Sequence, residues 1–141
     1  MSVGVLVVAH NHIGDALLEA VSGIMGTSPM PVASLAVTSP PDLGELVQQG
    51  HEHIQSLDRG HGVLILTDAF GSTPSNLAVR LGAYTGTAVV SGFNLPMLLR
   101  VMNYPDSPLE VLQERAYTGG RDGVIRVDTS DRQQTDAASR R

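Results

Sequence analysis

Four short apolar runs, Val3 to Ala9, Val32 to Val37, Val63 to Leu66 and Ala88 to Val90, are separated by stretches whose apolar residues recur at helical spacing. A chain that alternates in this way buries both kinds of element by laying helices over a sheet of repeated βαβ units. The expected class is therefore α/β, with an open, mostly parallel sheet of about four strands and helices on both faces. The first run is nearly all apolar rather than alternating, the pattern of a central strand covered from both sides.

The intervening stretches carry their own signals. Ile13, Leu17, Val21 and Ile24 form one helical stripe, with Gly26 placed to end it. Leu43, Leu46, Val47, Gly50, Ile54 and Leu57 form another, opening just after Pro41 and Asp42, which suit a helix start. Two short helices are expected later, one beginning near Pro96 and one running from Pro108 to about Tyr117. Gly123 to Val127 reads as one last short strand, which needs an edge to pair with, its own or a neighbour's. Residues 1–127 then make one domain, and 128–141 a polar tail expected to be disordered.

Composition removes several functional classes. No apolar run approaches the ~18 to 20 residues that cross a bilayer, so the apolar content is expected to serve a core and no membrane insertion is expected. Met1-Ser2-Val3-Gly4 places no basic residue ahead of the first apolar run, which reads as cytoplasmic rather than exported. Cysteine is absent, excluding disulfides and thiolate chemistry. All 9 basic residues are arginines, so neither a Walker A lysine nor a Schiff base can be built. A formal charge of −5, with arginines scattered singly apart from Arg140-Arg141, offers no basic stripe for nucleic acid.

Reactive groups in an open parallel sheet gather at the carboxyl ends of strands, near the point where strand order reverses. His10 directly follows the first apolar run and Asp68 follows Val63-Leu64-Ile65-Leu66-Thr67, so both would project from that edge on strands that can be neighbours. If Asp68 accepts a hydrogen bond from one ring nitrogen of His10, it fixes the tautomer and leaves the other nitrogen with a lone pair for attack. The carboxylate also stabilises the positive charge that the ring gains as an N–P bond forms. Either residue alone would more simply end a strand or cap a loop; their shared placement is what points to chemistry.

The stretch Phe70-Gly71-Ser72-Thr73-Pro74-Ser75-Asn76 leads into a further helical pattern, with Thr73 fitting the N-cap and Pro74 the first helical position. Free N–H groups at such a start, with the Ser72 and Thr73 hydroxyls, suit an anion such as a phosphoryl group. By itself Gly-Ser-Thr-Pro is an ordinary turn and cap. His12, His51, His53 and His61 raise a metal hypothesis, but His51 and His53, two apart on a helix, do not share a face. Solvated surface histidines are the simpler reading, and no metal is expected.

Three blocks carry a family resemblance: Val7-Val8-Ala9-His10, then Leu64 to Asn76, then Gly92-Phe93-Asn94-Leu95-Pro96-Met97. Over residues 2 to 127 the chain resembles the mannose-family EIIA component of the bacterial phosphoenolpyruvate-dependent sugar phosphotransferase system. The resemblance implies that His10 takes a phosphoryl group from the phosphohistidine of HPr and passes it to a IIB component. It implies too that Asp68 orients the ring, that Gly71, Ser72 and Thr73 hold the phosphoryl oxygens, and that no cofactor is needed. Many sugar-transporting members read Gly-Gly-Ser-Pro where this chain has Gly71-Ser72-Thr73-Pro74, a change that keeps a small turn and a hydroxyl. Members of the family are homodimers whose last strand pairs with the partner's sheet, which would account for Gly123 to Val127. The IIB partner is expected to be a separate protein. Three alternatives stand beside this reading: a phosphorylation-dependent regulatory module without sugar transport, a phosphoryl donor subunit for dihydroxyacetone kinase, and a metal or small-ligand binding protein.

Overall fold

The computed structural model describes residues 2–130. Its sheet contains β1 (Gly4–His10), β2 (Val32–Val37), β3 (Val63–Thr67) and β4 (Thr87–Ser91), all parallel, in the order β2-β1-β3-β4. Helices α1 (Ile13–Met25), α2 (Leu43–Leu57) and α3 (Thr73–Leu81) follow the first three strands, and α4 (Leu95–Met102) and α5 (Leu109–Asp122) follow the last. The open parallel α/β sheet of four strands is thus the architecture found.

Strand alternation divides the core into two layers. Val5, Val7 and Ala9 of β1 and Leu64 and Leu66 of β3 face the layer closed by Val21 of α1, Met97, Leu98 and Val101 of α4, and Leu112 and Ala116 of α5. Leu6 and Val8 of β1 and Val63 and Ile65 of β3 face the opposite layer, closed by Leu46 and Leu57 of α2 and Leu77, Ala78 and Leu81 of α3. Because both faces are covered, β1 and β3 read as unbroken apolar runs, with every residue buried except the last of β1.

Helix starts follow local chemistry. The Asp42 carboxylate accepts from Glu45 N–H at 3.1 Å to open α2, and the Asn94 side chain accepts from Met97 N–H at 2.9 Å to open α4, with Pro96 in the first turn. Other expectations shift. Ile13 and Ile24 are exposed, and the buried side of α1 centres on Gly14 and Val21, with Leu17 and Leu18 packed beside them. A Cβ on Gly14 would lie 2.6 Å from Ser34 Oγ, so the helix sits closest to the sheet where it has no side chain to mark the contact in an apolar pattern.

Helix α5 runs five residues beyond Tyr117. Its Gly119 and Gly120 look like a stop in sequence, yet both are buried against α4, where added Cβ atoms would lie 2.6 Å from Arg100 Cβ and 2.6 Å from Met97 Cε. Close helix contact, rather than a turn, accounts for the pair.

The strand expected from Gly123 to Val127 does not form. Gly123 caps α5, the next residues carry no strand assignment, and the sheet ends at β4. A strand needs an edge to complete its hydrogen bonds, and this stretch finds none within one chain among the described residues. Of the tail expected to be disordered, 131–141 lies outside the described residues. Among the described residues no helix is long and apolar enough to cross a membrane.

Candidate functional site

The strand order reverses between β1 and β3. The chain passes from β1 to β2 on one side and then to β3 and β4 on the other, opening a crevice at the carboxyl ends of the two central strands. His10 is the last residue of β1, and Asp68 follows the last residue of β3; Val8 pairs with Thr67, so the two side chains leave the sheet at adjacent ends. Asn11 then takes a left-handed conformation, φ 49°, which asparagine tolerates better than most residues. Its N–H donates to Val37 O at 2.9 Å, anchoring the turn away from the strand.

One carboxylate oxygen of Asp68, Oδ2, accepts from the backbone N–H of His10 at 2.9 Å and lies 2.7 Å from His10 Nδ1. The other oxygen, Oδ1, accepts from Ala69 N–H at 2.9 Å. Burial pushes the Asp68 carboxyl up, but hydrogen bonds from His10 and Ala69 and the attraction of the ring outweigh it, so the group is held below its ordinary value. An ionised carboxylate only accepts, so Nδ1 carries the proton in this contact and the lone pair of the neutral ring is on Nε2. The imidazole is 46% exposed and the Asp68 side chain 13%, which leaves the ring open and the carboxylate covered.

His10 continues the series Leu6, Val8 along β1, on the face covered by α2 and α3. The N-terminus of α3 lies on that same face, and its free N–H groups and dipole favour an anion there. Ser72, not Thr73, holds the N-cap position, and Thr73 is the first helical residue. Ser72 does not cap with its side chain: its hydroxyl and its N–H both donate to Ala69 O, the latter at 3.1 Å, closing a tight turn. Gly71 N–H donates to Ser75 Oγ at 3.3 Å, and Gly71 has φ +87°, a conformation that a side chain would strain. Thr73 is exposed at the rim, as is Phe70.

Of the residues singled out in sequence, His10 and Asp68 are thus in direct contact. Gly71, Ser72 and Thr73 sit on the loop that leaves Asp68 and make no hydrogen bond to either among the described residues. The remaining histidines lie apart: His12 pairs with Asp15 at 3.1 Å, and the His51 ring stands edge-on to Tyr84, 4.5 Å between centroids. Among the described residues no group of three or more His, Asp or Glu side chains is placed to hold a metal.

Two residues at this edge went unread in the sequence. Ser75 is fully buried and holds Gly71, and the Thr67 carbonyl accepts from Gly92 N–H at 2.9 Å and Phe93 N–H at 3.1 Å, tying the loop after β4 to the site. The block Gly92 to Met97 stood out as a motif, but nothing in it pointed to Thr67. A cavity of about 380 Å³, lined by Leu18, Met25, Met30 and Met102 among others, opens at the far end of α1, on the opposite edge of the sheet from His10.

A family model described as the PTS system fructose IIA component, EIIA-man, matches residues 4–109. Over 127 residues the chain is 27% identical to the PTS system mannose-specific EIIAB component of Escherichia coli (strain K12), covering 88% of this chain and 39% of that protein. The chain therefore spans well under half the length of this relative. Among solved structures, phosphotransferase system component EIIA from Streptococcus agalactiae superposes with a TM-score of 0.77 at 24% identity, covering 92% of this chain and 98% of that one. The mannose/sorbose specific IIA subunit from Enterococcus faecalis gives a TM-score of 0.81 at 22% identity over 91% and 96% of the two chains. Both show the same fold.

Proposed function

The chain belongs to the mannose-type EIIA family of the phosphotransferase system, and on that premise we propose that it is a cytoplasmic phosphoryl carrier. His10 takes a phosphoryl group from the phosphohistidine of HPr and passes it to a IIB component in sugar uptake. The observation that carries this reading is the 2.7 Å contact between His10 Nδ1 and Asp68 Oδ2, on a ring that is half exposed.

The Nε2 lone pair attacks phosphorus in line as the donor N–P bond breaks, and the donor ring keeps the electron pair of that bond. The ring of His10 gains positive charge, which Asp68 offsets through Nδ1–H while remaining ionised. Delivery to the acceptor is the same step run onward. Catalysis is positioning and charge stabilisation, with the partner protein supplying the other half of the site, so no nucleotide or metal is required. Thr73, at the first position of α3, offers its N–H and hydroxyl to phosphoryl oxygens, while Gly71 and Ser72 shape the loop that presents them.

The working form is a homodimer in which Val124 to Val127 adds to the edge of the second copy's sheet. Support comes from the exposure of Val124, Ile125 and Val127, at 77%, 72% and 63%, beside a sheet that ends in the uncapped strand β4. One carbonyl near that edge, Val89 O, already accepts from Gln113 Nε2 at 3.1 Å and would be shared or released.

Intact mass after incubation with Enzyme I, HPr from the same organism and phosphoenolpyruvate tests the carrier role. Wild type is expected to gain one phosphoryl group and His10→Ala none. Labelling retained in the variant would remove His10 from its role, and no labelling of wild type would end the carrier reading.

A further inference from the structure

Helices α2 and α3 both start at the carboxyl edge, since each follows a strand of one parallel sheet, and both pack over β1. Deeper in the pair they close on each other: a Cβ on Gly50 would lie 2.5 Å from Leu81 Cδ1. Toward the edge they part, leaving a groove of about 180 Å³ lined by Leu43 and Val47 of α2 and by Thr73, Asn76, Leu77 and Arg80 of α3. Leu43 and Thr73 are the first residues of their helices, so the mouth of the groove lies at the edge where β1 ends in His10. The floor is the buried Leu77, and from Thr73 to Arg80 the groove runs seven residues, about 10 Å along α3.

Its lining is apolar with one charge. Leu43 stands 49% exposed, and Phe70, on the loop that leads into α3, 83% exposed. Arg80 is the one charged side chain in the lining, and it forms no ion pair among the described residues. The carboxylates of α2 are engaged elsewhere: Glu45 lines a separate cleft with Pro40 and Pro41 and accepts from Gln49, and Glu52 accepts from Gln48. A free guanidinium beside apolar walls fits a partner that offers a carboxylate next to an apolar side chain. The groove falls short of the about 300 to 1,000 Å³ of small-molecule pockets. A cavity of about 150 Å³ holds one benzene ring, so the space here suits one large side chain of a protein.

Resting on the carrier reading, we infer that this groove is the docking surface for the phosphohistidine protein that loads His10. One apolar side chain of the donor seats between Leu43, Val47 and Leu77, and a carboxylate beside it pairs with Arg80. Docking along α2 and α3 brings the donor to the carboxyl edge, where its histidine must reach the His10 ring. Recognition of the donor is thereby separate from the groups that act on the phosphoryl group itself.

Initial rates of His10 labelling, measured against the concentration of phospho-HPr from the same organism, test the assignment. Leu43→Asp, which places an acid where a first helical turn favours one, is expected to fold and to raise KM about tenfold with kcat unchanged. Arg80→Gln is expected to raise KM about threefold at low salt, an effect that fades as salt is added. Glu45→Gln, on the other side of α2, should leave both constants as in wild type. A KM unchanged in folded Leu43→Asp overturns the inference, as does a loss confined to kcat, which would place these residues in positioning rather than docking. An effect of Glu45→Gln equal to that of Arg80→Gln also overturns it, since that would be the field of the whole protein. Each of these results leaves His10 as the labelled residue; if wild type takes no phosphoryl group at all, the carrier reading and this inference fall together.

Discussion

The carboxyl edge of the central strands and the stretch after α5 are opposite cases of how apolar and polar groups find partners. At the edge, three N–H groups, two from His10 of β1 and one from Ala69 in the loop after β3, converge on the two oxygens of one carboxylate, at 2.7 to 2.9 Å. After α5, Val124, Ile125 and Val127 stand in water. A site whose partners all lie within one chain is assembled by folding alone. A run of β-branched residues left uncovered is the kind of segment that adds to a free sheet edge, which is why a second copy is proposed for it.

Removing the carboxylate is the strongest test of the first half of that contrast. Asp68→Ala is expected to slow phosphoryl acceptance by about a hundredfold, the order of cost of a misplaced reacting group, with His10 still the labelled residue. Rapid-quench kinetics would measure it, and an unchanged rate would take Asp68 out of the mechanism.

The second half can be broken at the other end of the molecule. Ile125→Asp with Val127→Asp should convert the proposed dimer to a monomer in sedimentation, while the unfolding free energy of the single chain changes by no more than about 0.5 kcal/mol, as for exposed positions. A wild type that sediments as a monomer would remove the need for a partner edge.

A smaller effect calibrates contacts satisfied within the chain. Asp42→Ala deletes the cap of α2 and should cost about 1 kcal/mol by denaturant titration, with phosphoryl acceptance unaffected. A loss of acceptance there would mean that α2 is coupled to the carboxyl edge.

The gentlest probe is acidity. Folding holds the Asp68 carboxyl below its ordinary value, so its contribution to stability is complete above about pH 4 and is lost as pH falls through the lower folded value. Asp68→Asn should flatten this part of the acid limb of stability. An acid limb identical in the two proteins would show that the His10 and Ala69 bonds do not stabilise the folded state.

Much of the frame was legible because it depends on local pattern. Buried strands show as runs of Val, Leu and Ile, and Asp42 or Pro96 mark helix starts through their own side chains. The pair His10 and Asp68 was legible for a related reason: each ends an apolar run, and a parallel sheet sends all such ends to one edge. What could not be read depended on contacts between elements. Gly14 and the Gly119-Gly120 pair look like gaps in a pattern, yet they mark close approaches between packed elements. Ser75 carries no signal of its own, since a serine after Thr-Pro is ordinary at a helix start. Its role rests on burial and on which N–H its hydroxyl meets.

The amino-acid sequence by itself determined the class of fold, the strands and most helix starts, the exclusion of thiol and lysine chemistry, and the candidate pair at the strand ends. Only the tertiary structure decided that β1 and β3 lie side by side, that one Asp68 oxygen meets both the backbone and the ring of His10, that Ser72 rather than Thr73 is the N-cap of α3, and that Gly123 to Val127 has no place in the sheet of its own chain. The division has a physical cause. Propensity and periodicity act within a few residues, whereas strand order, hydrogen-bond partners and close approaches are settled by which distant surfaces pack together.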